Sequence, residues 1–341
     1  MSGPQTDRPG SARANLDRAR VLGHYRTMAR IRAFEEAADQ ALKDGHIKGA
    51  VHLSIGQEAV ATGVCSNLAT GDFITSNHRG HGHTIAKGAD MPAMMAELFA
   101  RATGSCQGKG GSMHIADFKV GMLGANGVVG AGIPIAVGAA HAMKLAGDRR
   151  IVVCFFGDGA INRGPFLEGL NWAKVFDLPI LFVCEDNAFA AMTRTSAVTA
   201  GGGASARAES LGIVATPVDG NDIVAVDAAA RDLIARVRAG SGPQFLHAKT
   251  YRLRGHTAVD PAAYRPASEV EARWADDPMR RCADLLTIDG MTAAELAAVV
   301  AEAKAEAAAA VASGLAAPHP PPDYAWTDVQ DIGAVRPGVP A

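Results

Sequence analysis

Two oxygen-bearing side chains, Asp158 and Asn187, stand at equivalent points in successive stretches of the chain. Each closes an apolar run. Ile151-Val-Val-Cys-Phe-Phe156 leads into Gly157-Asp158-Gly159, and Ile180-Leu-Phe-Val-Cys184 leads into Glu185-Asp186-Asn187. A carboxylate and an amide oxygen are poor ligands for soft metals, but they suit Mg²⁺, which takes hard oxygen donors and fills its remaining positions with phosphate and water. The amides of Gly159 and Ala160, at a predicted helix start, could meet the same anion. Taken alone, Gly-Asp-Gly reads as a strand-to-helix turn. Paired with Asn187 at the next strand end, a Mg²⁺-bound diphosphate is the better reading.

The intervening residues must place these two groups side by side. The apolar runs have the length and β-branched content of buried strands. Between them Phe166, Leu170 and Ala173 recur at helical spacing, and the helix must stop before Pro179. Strand, crossover helix and strand make a parallel pair, and open α/β sheets bind ligands at the carboxyl ends of such strands. The rest of the chain extends this pattern. Helices are predicted over Leu16 to Leu42, from Gly56 toward Leu68 and over Pro92 to Ala102. Strands are expected at Phe73-Ile-Thr75, Leu211 to Val218 and Gln244 to Thr250, with a helix capped by Asn221 or Asp222 between the last two. Met192 to Ser205, rich in Thr, Ala and Gly, reads as a mobile loop near the site. The fold class is α/β, a parallel sheet flanked by helices on both faces. Residues 1–14 read as a disordered leader, 15–314 as a single domain and 315–341 as an extended Pro-rich tail.

Other polar clusters admit more than one chemistry. His78, His81 and His83 form a compact nitrogen set that invites zinc, yet no cysteine or carboxylate completes it locally and Arg79 would repel a cation. Arg79 can instead grip a pair of diphosphate oxygens. By residue type alone Gly127 is a turn and His256 a surface histidine.

Taken together, these strings carry a resemblance. Gly157-Asp158-Gly159 with Asn187 resembles the thiamine-diphosphate motif, and the surrounding chain from about Ala29 to Arg265 is similar to the α subunit of the decarboxylating first component of 2-oxo-acid and acetoin dehydrogenase complexes. The further carriers are His52-Leu-Ser-Ile-Gly-Gln-Glu58, His78-Arg79-Gly-His81-Gly82, Gly108-Lys-Gly-Gly-Ser-Met-His114, Gly124-Ala-Asn-Gly-Val-Val129 and Tyr251-Arg-Leu-Arg-Gly-His256. The resemblance implies the thiamine-diphosphate-binding fold, with thiamine diphosphate and Mg²⁺ as cofactors. Asp158, Asn187 and the backbone carbonyl of Phe189 would ligate the metal, and Gly157, Gly159 and Ala160 would adjoin the diphosphate. His78, where the family often has Tyr, and Arg79 would bind that diphosphate. Gly127 and Val129 would contact the aminopyrimidine ring, and His256 would serve acid–base steps. The chain departs from the family at Asp186, usually Asn, at Phe189, usually Tyr, and at Arg254, often His. The Glu that activates the cofactor belongs, in this family, to a separate β subunit. An α₂β₂ heterotetramer is therefore implied, together with a lipoyl-bearing acyltransferase partner and a 2-oxo acid such as pyruvate, or acetoin, as substrate.

Composition excludes several alternatives. Charged residues are 20% of the 341 and nearly balanced at a formal net charge of −2, so no basic stripe recommends nucleic acid. The five cysteines are scattered through apolar strings, as reduced core residues of a cytoplasmic protein would be. Val128 to Ala146 holds Pro134, His141 and Lys144, which argues against a membrane span. Two readings compete with a dehydrogenase: a non-redox, transketolase-like thiamine enzyme of two subunits, and a non-catalytic subunit that binds diphosphate for structure.

Overall fold

The computed structural model describes residues 17–327, so the predicted leader and the last part of the predicted tail lie outside the described residues. Strands β1 (Phe73–Thr75), β2 (Met122–Gly124), β3 (Val152–Gly157) and β4 (Ile180–Asp186) join β7 (Ala215–Asp219) and β8 (Gln244–Lys249) in one sheet, while β5 (Phe189–Ala190) and β6 (Thr193–Arg194) form a small antiparallel ribbon. The sheet runs β2-β1-β3-β4-β8-β7 and every pairing in it is parallel.

Both faces of the central strands are covered, and strand periodicity decides which residue goes where. Cys154 and Phe156 of β3, with Phe182 and Cys184 of β4, pack under the helices Gly132–Leu145 and Gly164–Val175. Val153 and Phe155, with Leu181 and Val183, pack on the opposite face under Glu58–Cys65 and Ile223–Arg238. Asp222 caps the latter helix, accepting from Val224 N at 3.0 Å and Ala225 N at 3.1 Å. A third apolar cluster joins the long helices Arg18–Lys43 and Ala293–Ala316 to Met91–Leu98, outside the sheet.

Elements differ from expectation in four places. Gly80–Ala86 is a helix and β2 a strand where the sequence gives no expectation of either, both being too short and glycine-rich for a periodicity to register. Met192 to Ser205 carries β6, the helical turn Thr195–Val198 and the start of Gly203–Glu209. Asn162 Nδ2 ties this segment down by donating to Thr199 Oγ1 at 3.0 Å. In the tail, Pro318 O accepts from Ala102 N at 2.9 Å and Pro322–Trp326 forms a 3₁₀ turn. Among the described residues no helix is long and apolar enough to cross a membrane, and all five cysteines are free thiols, four of them buried.

Candidate functional site

A cavity of about 480 Å³ opens at the carboxyl edge of β3 and β4, and every residue that the resemblance assigns to the metal or the cofactor lines it. Because Gly157 pairs with Glu185 across the two strands, the adjoining Asp158 and Asn187 are brought to the same edge. Asp158 is buried; its Oδ1 accepts from Gly159 N at 3.1 Å and its Oδ2 from the Thr195 hydroxyl. Burial pushes its carboxyl up to about 6, against the Thr195 hydrogen bond and with help from the nearby Asp186 charge. A divalent cation is the partner that would relieve this. Asn187 is fixed at both ends of its amide: Nδ2 donates to Gln57 Oε1 at 3.0 Å, and Oδ1 accepts from Phe189 N at 3.1 Å. Ala188, at φ 68°, turns the chain so that Phe189 returns to the cavity wall.

The extra carboxylate at Asp186 is tied down from behind. His247 Nε2 donates to its Oδ2 at 2.9 Å, Ala188 N donates to its Oδ1 at 3.1 Å, and His247 Nδ1 shares a 2.8 Å hydrogen bond with Ser205 Oγ. Burial works to raise the Asp186 carboxyl, yet these hydrogen bonds hold it below its ordinary value. A more open crevice of about 630 Å³ borders the same strand ends near Lys249, and two of its arginines are paired within it, Arg281 with Asp219 at 2.8 Å and Arg273 with Asp276 at 3.2 Å.

The compact His-x-x-His-x-His set does not survive folding as a zinc site. The helix beginning at Gly80 sends its histidines apart. His81 is held by Glu35 Oε2 and Ser112 Oγ, each at 3.0 Å, and His83 by Glu185 Oε1 at 3.1 Å and Ser76 Oγ at 2.8 Å. Only His78 reaches the cavity. There it meets His52 and His256, with ring centroids 4.6 Å and 5.6 Å from its own. Nitrogens of these three rings lie within 4.8 Å of one another, close enough in principle for a metal. Their surroundings argue for an anion. Burial first, then the Arg79 charge, lowers His52 to about 3, His256 to about 4 and His78 well below the ordinary value, so all three are neutral. Arg79 is itself buried and donates to Leu53 O at 2.7 Å, His256 O at 2.9 Å and His256 Nδ1 at 3.1 Å. With Nδ1 accepting, the neutral His256 ring carries its proton on Nε2 as a hydrogen-bond donor. Arg252 adds a second buried guanidinium that donates to Ala191 O at 2.9 Å and Tyr264 Oη at 2.7 Å.

Gly127, Val129 and Met113 also line the cavity. A Cβ on Gly127 would stand 3.2 Å from His114 Nε2, so the backbone here lies bare, and Val129 is half-exposed beside it. Sequence reasoning assigned no role to Gln57, His52, Arg252, Met113 or Thr195. Gln57, His52, Arg252 and Met113 lay inside quoted motifs, but their facing one cavity depends on long-range packing. Glu185, the carboxylate in the wall, is engaged by Asn77 Nδ2 at 3.1 Å as well as by His83.

The residues fit a metal-bound diphosphate. The oxygen donors are hard, two guanidiniums line the same cavity, and His52 Nδ1, His78 Nε2 and Arg252 Nε are buried without a hydrogen-bond partner, which a ligand would supply. The fold and site thus define a class: a parallel α/β protein with a hard-oxygen, anion-ready cavity at the carboxyl edge of its sheet. Residues 26–323 match the sequence family described as the dehydrogenase E1 component. The chain is 44% identical over 321 residues to the α subunit of acetoin:2,6-dichlorophenolindophenol oxidoreductase from Cupriavidus necator, covering 94% of this chain and 96% of that one. It is 48% identical over 255 residues to the Bacillus subtilis protein of the same name, 75% and 77% of the two chains. To the pyruvate dehydrogenase E1 component α subunit of Zymomonas mobilis it is 41% identical over 290 residues, 84% and 82% of the two. The chain belongs to the dehydrogenase E1 component family, thiamine-diphosphate-dependent oxidoreductases with Mg²⁺ as the usual metal partner.

Proposed function

We propose that this chain is the α subunit of a first component that cleaves a carbon–carbon bond in acetoin or a 2-oxo acid such as pyruvate, the acyl group passing to a lipoyl domain of a partner acyltransferase. It would act in the cytoplasm, as one half of an α₂β₂ assembly. The observation that carries this is the meeting of Asp158 and Asn187 with neutral His52, His78 and His256 and two buried guanidiniums around a single cavity.

In this reading Asp158, Asn187 Oδ1 and the Phe189 carbonyl hold Mg²⁺, while Gly157, Gly159 and Ala160 keep the backbone slim where the diphosphate lies. A Cβ on Gly159 would come within 3.0 Å of the Ala190 Cβ, which favours glycine there. Arg79 and His78 bind diphosphate oxygens. Gly127 and Val129 hold the aminopyrimidine end. His256, proton on Nε2, donates to substrate or to phosphate, and its loop is fixed by His256 N donating to Asp260 Oδ2 at 2.6 Å. Bound there, thiamine diphosphate supplies the carbon nucleophile and the positive ring that takes up electrons when the bond breaks. The protein's own contribution is to place donors in advance and exclude water.

The test is acylation of a lipoyl domain by the co-expressed α and β chains when acetoin, pyruvate or branched 2-oxo acids are added. Acylation should occur with one of these donors and be lost in Asp158→Ala, with assembly intact. Undiminished acylation by that variant would overturn the proposal.

A further inference from the structure

Glu97 lies at the end of the helix Met91–Leu98, away from the cavity, and its side chain is completely buried. Its carboxylate is ringed by backbone amides of the glycine-rich loop just beyond that helix. Oε2 accepts from Cys106 N and Gly108 N, both at 2.8 Å, and Oε1 accepts from Gly110 N at 2.7 Å and Gly111 N at 3.1 Å. Four amides converging on one anion are the arrangement usually found around a bound phosphate, with charge-assisted hydrogen bonds stronger than neutral ones. Here the anion is part of the chain.

Close packing, at Gly104 against Glu97 itself, and left-handed backbone further on call for the glycines. A Cβ at Gly104 would sit 2.3 Å from Glu97 Oε2, and one at Gly110 would sit 2.4 Å from His114 O. Gly108 and Gly111 have φ of 78° and 59°, in the left-handed region. A loop with this much glycine loses much conformational entropy on folding, so something must hold it in a single shape.

What the loop delivers is the ring-side wall. Directly after Gly111 come Ser112, whose Oγ is 3.0 Å from His81 Nε2, then Met113, which lines the cavity, and His114, which lies against Gly127. Ala125 N then donates to Ile115 O at 2.7 Å, locking this run to the one that bears Gly127. We propose that Glu97 is a positioning residue for the aminopyrimidine end of the site: its carboxylate serves as an internal anion that shapes the Gly104–Gly111 loop, and through it sets Met113 and His114 against Gly127. This rests on the reading of Gly127 and Val129 as ring contacts. The diphosphate end is built from the ends of β3 and β4 with His78 and Arg79, and Ser112 meets it only indirectly, through His81, whereas Met113 and His114 stand beside Gly127 itself.

That asymmetry gives the test. In Glu97→Gln one carboxylate oxygen becomes an NH₂ group pointed at two N–H donors. Titration calorimetry of the co-expressed α/β assembly with Mg²⁺ should show thiamine diphosphate binding weakened at least about ten-fold and inorganic diphosphate binding changed less than about two-fold. Equal losses for both ligands, or no loss for thiamine diphosphate, would overturn the proposal, since a general weakening of the fold moves both together. Should the variant not assemble, hydrogen exchange on the wild-type assembly decides. The amides of 104–111 should be protected before any ligand is added, and thiamine diphosphate, but not diphosphate, should slow exchange over 112–129. Free exchange of the loop, or equal protection by both ligands, refutes it. A wild-type assembly that bound thiamine diphosphate no more tightly than diphosphate would bring down the ring-contact reading and this inference with it.

Discussion

Replacing Gln57 by leucine removes a hydrogen-bond acceptor from beside the amide that is to hold the metal. Gln57 and Asn187 are both buried, and the 3.0 Å bond from Asn187 Nδ2 to Gln57 Oε1 is what the amide nitrogen has in place of water. Together with the Phe189 N–H on Oδ1, it decides which end of the Asn187 amide is the oxygen available to the metal. Leucine leaves that N–H buried and unpaired, at a cost of about 1–3 kcal/mol. The amide can then rotate to find another partner, and the metal loses a ligand oriented in advance. At about 1.4 kcal/mol per decade this corresponds to a loss of about 5- to 140-fold in Mg²⁺ affinity, in line with the roughly 10- to 100-fold seen when outer partners of metal ligands are removed. Calorimetric titration of Mg²⁺ into the assembled α and β chains with thiamine diphosphate present measures it directly. Gln57→Glu is the control, because a carboxylate oxygen still accepts the bond and affinity should be retained. If the leucine variant bound Mg²⁺ as wild type does, or the glutamate variant were equally weakened, the orienting role given to Gln57 would be wrong.

The charges around the cavity lead to two more expected outcomes. His52 and His256 are lowered by burial to about 3 and about 4, so the folded protein binds fewer protons than the unfolded chain below the ordinary histidine value near 6.5; the melting temperature of the cofactor-free assembly should fall as pH drops from about 6.5 toward about 4, and His52→Asn should flatten that fall. A melting temperature that held level or rose over this range would contradict the assignment of neutral histidines. His247→Ala leaves the part-buried Asp186 carboxylate with only the Ala188 N–H and should cost about 1–3 kcal/mol in urea unfolding, while adding Asp186→Asn should recover most of that, since a neutral amide is cheaper to bury than a charge that has lost its ionic partner. Failure of the second substitution to restore stability would show that the pair is not what holds this corner.

The unit from Ile151 to Phe189 could be read without a structure because everything in it is local. Apolar run, glycine turn, helical spacing and second apolar run are contiguous. A right-handed crossover then makes the two strands parallel neighbours, so Asp158 and Asn187 had to share an edge. The fold class and the placement of Asp158 and Asn187 at one sheet edge were legible for that reason. The histidines were not. Their closeness in sequence suggested one cluster, but residues two apart on a helix point roughly 200° from each other, so His81 and His83 went to different carboxylates. His78 instead found His52 and His256, brought from far along the chain in both directions. Asp186 could not be interpreted from its neighbours, because its partner His247 lies on β8, which enters the sheet between β4 and β7 out of chain order. The same holds for Glu97, whose purpose shows only once the loop has closed around it. Short-range periodicity sets where strands end and helices begin. Which buried charge faces which partner is settled by contacts between distant segments, whose selection depends on packing and desolvation across the whole core.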